Sequence, residues 1–162
     1  MIRFLRHVLT GPWTVRRHFS ELDLRSIEGL IAESEKSHDA EIRFCVESGL
    51  DPHELVAGIT PRQRAGEVFS RLRVWDTEQN NGVLFYLLLA DKDFEIVADR
   101  AVARVVSDAE WAGICREVED AFRSGKFMEG VSLGLRLITE KLRVHFPARG
   151  HASELPDRPV IL

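Results

Sequence analysis

The sequence predicts an α/β fold, a three-layer α/β/α sandwich with a mixed, mostly parallel central sheet. Residues 83–89 are apolar on both faces, which is typical of a central strand covered by helices on each side. Along the 162 residues, helical and strand periodicities follow the order helix, strand, helix, strand, strand, helix, helix. A chain of this length is large enough to bury the core of one domain.

The first half of the chain contains clear sequence signals for two helices and one strand. Ser20 and Asp23 form a capping box, which predicts that a helix begins at residue 21. Residues 41–46 alternate between apolar and polar side chains and are predicted to be a strand. Thr60 and Gln63 form a second capping box and start the helix that crosses over to the next strand. A crossover of this kind makes the strands at 41–46 and 83–89 parallel.

The central strand is followed by a hairpin. Asp91 and Lys92 form the predicted turn, and residues 94–98 form a strand that runs antiparallel to residues 83–89. We expect this turn to be exposed to solvent and the sheet to be mixed.

Two helices follow the hairpin. The first begins at a capping box formed by Ser107 and Glu110 and ends at Gly125. The second carries an apolar stripe from Phe127 onwards and ends before Pro147.

Three segments are predicted: a basic N-terminal arm at 1–19, the α/β/α domain at 20–147, and an irregular C-terminal tail at 148–162, of which 160–162 could dock. The arm contains four arginines, no acidic residue, and apolar side chains such as Trp13. It either packs on the domain or makes peripheral contact with an anionic membrane surface. The net charge of −4 argues against a nucleic-acid partner.

The cysteines and the hydropathy pattern indicate the compartment. Cys45 and Cys115 lie in separate predicted elements, and we expect both to be reduced thiols. No apolar run approaches the length that a membrane-spanning helix needs, and charges interrupt the N-terminus where a signal peptide would be apolar. We therefore expect a cytoplasmic monomer.

Polar residues collect where the predicted topology brings three strand ends together. The starts of strands 41–46 and 83–89 and the end of strand 94–98 share one edge of the sheet. Carboxylate and amide oxygens are the ligands that Ca²⁺ and Mg²⁺ prefer. The candidate metal ligands at this edge are Glu41, Asp76, Asn80, Asn81 and Asp99. The alternative is that Asp76, Asn80 and Asn81 only build turns and that Asp99 pairs with Arg100.

Several segments, in order and with their spacing kept, resemble the TPM-domain family. The most specific are the T-x-x-N-N-G-V-L-F block from Thr77 to Phe85 and the V-A-D-R strand end from Val97 to Arg100. The others are residues 39–43, 65–69, 108–111 and 122–130. The resemblance covers about residues 20–147 and implies an α/β/α sandwich with a mixed sheet. It also implies divalent-cation binding, which favours the metal hypothesis over the turn alternative. Most family members are exported or membrane-anchored, and this chain departs from that plan.

Two functions remain from the residues and the resemblance together. The first is a non-catalytic binding or assembly module in which Ca²⁺ or Mg²⁺ holds loops together and an exposed face binds a protein partner. The alternative is a metal-dependent acid phosphatase, a phosphomonoester hydrolase in which Asp76, Asp99 and an asparagine hold the ion and Glu41 acts as base. We expect the binding module, because no nucleophile is evident in the sequence.

Overall fold

A computed structural model describes residues 2–150 and 152–162, and one four-stranded sheet lies at its centre. The helices are α1 (Ile2–Leu9), α2 (Pro12–His18), α3 (Glu21–Glu35), α4 (Pro52–Val56), α5 (Pro61–Arg71), α6 (Arg100–Ala103), α7 (Asp108–Arg123) and α8 (Phe127–His145). The strands are β1 (Glu41–Glu47), β2 (Gly82–Leu88), β3 (Asp93–Ala98) and β4 (Val160–Ile161).

The sheet has the strand order β3-β2-β1-β4, with β2 in its interior. Strand β1 is parallel to β2 and to β4, whereas β2 and β3 are antiparallel. The predicted mixed, mostly parallel sheet and its central strand are therefore confirmed. The two-residue β4 comes from the C-terminal tail, so the end of the tail docks on the edge of β1.

Helices cover both faces of the sheet. On one face, Phe85 and the apolar stripes of α3, α7 and α8 share a core. On the other face, Tyr86 packs with Ala65 and Val68 of α5 in a second core. Because β2 contributes alternate side chains to both cores, all of its residues are buried. The three-layer arrangement agrees with the predicted sandwich.

The predicted helix starts agree with the structure because they depend on local capping. The Ser20–Asp23, Thr60–Gln63 and Ser107–Glu110 pairs each form a reciprocal capping box at the start of α3, α5 and α7. Each box satisfies backbone N–H groups that the first turn of a helix leaves without partners.

Only one of the two residues of the hairpin turn is exposed, whereas the sequence predicts that both are. Lys92 is exposed, but the Asp91 side chain is covered by Arg3, Arg6 and His7 of α1. The prediction is wrong for Asp91, because three side chains of the N-terminal segment reach this carboxylate from almost ninety residues away in the sequence.

Both cysteines are free, as predicted. Burial raises the pKa of the Cys45 and Cys115 thiols to about 12, so neither forms a reactive thiolate near neutral pH. Among the described helices, none has the length and apolar character to span a bilayer.

Candidate functional site

Backbone hydrogen bonds join the three strand ends that the sequence places at one edge. The Asp99 N–H donates to the Gly82 carbonyl at 2.8 Å, and the Glu41 N–H donates to the Asn81 carbonyl at 3.3 Å. The Asn81 side-chain amide donates to the Asp39 carbonyl at 2.5 Å. Glu41, Asn81 and Asp99, three of the residues expected at this edge, are thus connected to their neighbours through backbone or amide groups.

Two of the candidate metal ligands build the loop before β2. Asp76 is exposed, and its carboxylate accepts a hydrogen bond from Arg73 at 2.7 Å. Asn80 has a positive φ of 53°, and its side-chain oxygen accepts from Arg100. Asparagine tolerates this left-handed conformation better than most residues, so its position in a turn has a local explanation.

Two buried oxygen atoms at the same edge have no hydrogen-bond partner. Asp99 caps α6, because its Oδ1 accepts from the Arg100 N–H at 2.7 Å, but its Oδ2 is buried and unpartnered. The Oδ1 atom of Asn81 is likewise buried and unpartnered. Buried polar atoms are nearly always paired in native proteins, so both oxygens are exceptions that a ligand would satisfy.

Glu41 holds the C-terminal tail. Its Oε2 accepts from the backbone N–H groups of Glu154 at 3.0 Å and Leu155 at 2.9 Å, and from the Ser153 hydroxyl at 3.4 Å. These bonds direct the carboxylate away from β2 and towards residues more than a hundred positions later in the chain.

The candidate ligands have separate partners in the structure. Glu41 and Asp99 lie on either side of Gly82 at the edge of the sheet. Glu41 Oε2 accepts from the tail, whereas Asp99 Oδ1 accepts from the Arg100 N–H. In the part of the chain that the structure describes, no three His, Cys, Asp or Glu side chains are grouped as metal ligands.

A second set of carboxylates surrounds a cavity of about 250 Å³ at the start of β1. Glu35 lies in the last turn of α3, Asp39 and Glu41 flank the start of β1, and Asp157 lies in the tail. We call these four carboxylates and their cavity the acidic pocket. Glu41 is the only one of the five predicted ligands that lines it.

Burial and mutual repulsion shift the protonation of the acidic pocket. Burial, opposed by a hydrogen bond from the Ile42 N–H, raises the pKa of Glu35 to about 8, and the charges of Glu41 and Asp157 add to the shift. Burial also raises the pKa of Glu41, despite the tail N–H groups that favour its charged form. A side-chain interaction with Asp157 raises the pKa of Glu35 further.

Two described cations near the pocket have their own hydrogen-bond partners. Arg43, whose pKa is lowered by burial, donates hydrogen bonds to the backbone carbonyls of Pro156 and Arg158, and the charges of Asp157 and Glu35 also act on it. Lys36 lines the pocket, but its ammonium group bonds to Glu33 at 2.6 Å.

Sequence reasoning missed Glu35 and Asp157. A signal exists for Glu35, because a carboxylate in the last turn of a helix is unfavourable beside the negative end of the helix dipole. No local pattern marks Asp157, which joins the pocket only because the tail folds back along β1.

The raised pKa of Glu35 predicts how stability depends on pH. Its folded pKa of about 8 exceeds the ordinary value of 4.5, so the folded state binds this proton more tightly than the unfolded state. In metal-free buffer, this group's contribution to the free energy of unfolding is full below pH 4.5 and is lost as pH rises through 8. Glu35→Gln keeps an acceptor for the Ile42 N–H and should stabilise the protein by about 1–2 kcal/mol at pH 8.5.

Urea unfolding at pH 5.5 and pH 8.5 measures this effect. The matched control is Glu33→Gln, on the exposed side of the same helix, which should change the pH dependence little. A Glu35→Gln variant that loses as much stability as the wild type between these two pH values would show that Glu35 titrates normally.

Comparisons with known proteins are consistent with this fold. The NMR structure of the BA42 protein from Bizionia argentinensis has a TM-score of 0.74 and 28% sequence identity, with 89% of this chain and 95% of that chain covered. The N-terminal domain of a protein from P. gingivalis has a TM-score of 0.64 and 19% identity over 82% of this chain and 83% of that one. The N-terminal domain of the cg2496 protein from Corynebacterium glutamicum has a TM-score of 0.55 and 16% identity over 83% and 78%.

The comparison with curated proteins finds no match. The two structures with less than 20% identity support the fold alone. The family comparison matches the TPM domain over residues 17–141, which is most of the chain. The chain therefore belongs to the TPM domain family.

Proposed function

We propose that this TPM domain is a non-catalytic binding module that takes one Ca²⁺ or Mg²⁺ ion in the acidic pocket. The observation that carries the proposal is the Oδ1 atom of Asp157, a buried carboxylate oxygen without a hydrogen-bond partner, beside two carboxyl groups with raised pKa values. A cation bound beside Glu35 and Asp157 would satisfy this oxygen and remove the repulsion between the two carboxylates.

The chemistry of the pocket suits a hard cation. All four of its acidic side chains offer oxygen, which Ca²⁺ and Mg²⁺ prefer over nitrogen or sulfur. Glu35 of α3 and Asp157 of the tail both line the pocket. An ion bound to these two carboxylates would link the two segments, which is a structural role that needs no turnover.

The carboxylates proposed for catalysis already have structural partners. Glu41, the candidate base, accepts three hydrogen bonds from the tail, and Asp99 caps α6. Asp76 is bound to Arg73 on the surface of its loop. These contacts favour the binding module over the phosphatase, because a general base needs an oxygen directed at its substrate.

In this proposal, the cation orders the exposed tail residues beside the pocket, and a protein partner recognises that ordered surface. Residues 152–154 are exposed and adjoin the Glu41 contacts. We place the protein in the cytoplasm, consistent with its two free cysteines.

Thermal unfolding tests the cation site directly. A ligand bound only by the folded state stabilises it by about 2.7 kcal/mol at a hundredfold excess over Kd, which is about 5–10 °C in Tm for a chain of this size. We expect millimolar Ca²⁺ or Mg²⁺ to raise the Tm at pH 8, EDTA to reverse the gain, and Glu35→Gln and Asp157→Asn to reduce it. The gain should be smaller at pH 6, because protons compete with the cation.

Two matched variants locate the ion. Glu33→Gln, on the exposed side of the same helix, should keep the full response to the cation. Asp99→Asn keeps the helix cap and should also keep the response if the ion lies in the acidic pocket. Loss of the response in Asp99→Asn alone would move the ion to the unpartnered oxygens of Asn81 and Asp99 and contradict the pocket. A wild-type Tm that neither cation changes would contradict any cation site.

A phosphatase assay separates the two functions. The wild type with Mg²⁺ or Ca²⁺ should not hydrolyse p-nitrophenyl phosphate above the rate of a heat-denatured sample. Turnover that disappears in Asp99→Asn, with the fold intact by circular dichroism, would replace the binding module with a hydrolase.

A further inference from the structure

Helix α1 is amphipathic, and its polar face is the one that packs on the domain. Arg3, Arg6 and His7 lie on one side of the helix, at positions separated by three and four residues. The other side carries five apolar residues with exposed fractions from 43% to 80%. These are Ile2, Phe4, Leu5, Val8 and Leu9.

Specific polar contacts hold α1 in this orientation. Asp91 receives the Arg3 Nε–H at 3.0 Å, lies 3.6 Å from Arg6 Nη2, and lies 3.0 Å from His7 Nε2. The buried His7 ring also accepts the Leu50 N–H at its Nδ1, at 2.9 Å. An ordinary surface helix buries its apolar stripe against the core, so α1 is docked with the reverse orientation.

Helix α2 adds basic and aromatic side chains to the N-terminal segment. Trp13 of α2 is 61% exposed, and the neighbouring Arg16 and Arg17 are exposed as well. The charges of Arg17 and Lys92 both act on His18, so the hairpin lysine lies near this segment. The first 20 residues contain no acid. Asp91, the acid beneath α1, is neutralised by its contacts.

We propose that α1 and α2 dock the protein on an anionic lipid surface. The apolar side of α1 and Trp13 enter the boundary between headgroups and acyl chains, and the arginines of α2 contact lipid phosphates. Apolar helix faces flanked by arginine, together with tryptophan, are the features that partition into this boundary. Glu21 and Glu28 lie beside Arg16. The first 20 residues nevertheless carry four arginines and no acid, and this excess of positive charge favours a lipid surface over a protein partner, whose surface mixes both signs.

This proposal does not depend on the cation in the acidic pocket. The acidic pocket is formed by α3, the start of β1 and the tail, whereas α1 contacts the hairpin turn after β2 and the segment after β1. Experiments on the two surfaces can therefore fail independently.

Vesicle sedimentation with the full chain tests the proposal. The wild type in EDTA should sediment with vesicles of phosphatidylcholine and phosphatidylglycerol, and should bind vesicles of phosphatidylcholine alone about tenfold more weakly. Raising the salt concentration should weaken binding to the anionic vesicles. Trp13 should also give a blue shift in fluorescence on binding that is absent in Trp13→Phe.

Matched variants show whether vesicle binding depends on the apolar side of α1 or on any exposed apolar residue. Leu5→Glu with Leu9→Glu changes two exposed positions, at 58% and 63%, and should reduce vesicle binding more than about tenfold without unfolding the protein. Val144→Glu on α8, an apolar residue at 73% exposure, should bind like the wild type.

Three results would overturn the proposal. The first is a wild type that stays in the supernatant with anionic vesicles. The second is a Leu5→Glu/Leu9→Glu variant that still sediments with them. The third is a wild type that is a dimer in solution and becomes a monomer in this variant, which would assign the surface to a second copy of the chain.

Discussion

Gly82→Ala should destabilise the protein by more than about 3 kcal/mol. A Cβ atom at residue 82 would lie 1.9 Å from the carbonyl oxygen of Val74, a backbone atom that no rotamer change can move. Gly82 also pairs with Glu41 on one side, and its carbonyl accepts the Asp99 N–H on the other, so the strand cannot shift away. Relief of the clash would have to displace the loop that crosses the start of β2. Urea unfolding measures the change.

Gly66→Ala is the matched control for this substitution. Gly66 lies inside α5, and a Cβ there would meet nothing within 4 Å. Alanine is a better helix former than glycine, so this variant should gain about 0.5–1 kcal/mol. The same chemical change thus has opposite signs at two positions. Equal stability of the two variants would show that the loop over Gly82 moves away from the added Cβ atom at little cost in free energy.

Arg64→Met should destabilise the protein by about 3–5 kcal/mol at pH 8, because it leaves a buried carboxylate unpaired. Glu47 is 5% exposed at the end of β1. Arg64 Nη2 donates to its Oε1 at 2.7 Å, Arg64 Nε donates to its Oε2 at 3.0 Å, and the Tyr86 hydroxyl donates to Oε2 at 2.5 Å. Glu54 also contacts Arg64, at 2.7 Å.

The Glu47→Met substitution tests whether this loss comes from the unpaired carboxylate. The double variant with Glu47→Met should recover part of the stability, since an apolar pair of similar volume often replaces a buried ion pair without loss. Arg71→Met on the exposed end of the same helix should change stability by less than about 0.5 kcal/mol. An Arg64→Met loss as small as that of Arg71→Met would refute the buried ion pair.

The candidate site was predictable only in part. The sequence places Glu41, Asn81 and Asp99 at one edge because strand direction determines which ends meet, and backbone hydrogen bonds join them there. Strand order does not predict which way a carboxylate is directed. Glu41 turns to the tail and Asp76 to Arg73, so the acidic pocket forms around Glu35 and Asp157 instead.

The sequence by itself determined the three longer strands of the sheet and most of the longer helices. A strand that is apolar on both faces must lie inside the sheet, and a capping box specifies a helix start through contacts within four residues. Both signals depend on residues that are close in the sequence, so they predict the same element regardless of how the rest of the chain folds.

Only the tertiary structure decided the position of the chain ends. The two residues of β4 are too few for a periodic pattern. Helix α1 packs with its polar face against Asp91 instead of burying its apolar face in the core. Both arrangements depend on partners far away in the sequence. The energy of such a contact depends on which groups contact each other and on how deeply they are buried. The local sequence pattern predicts neither of these.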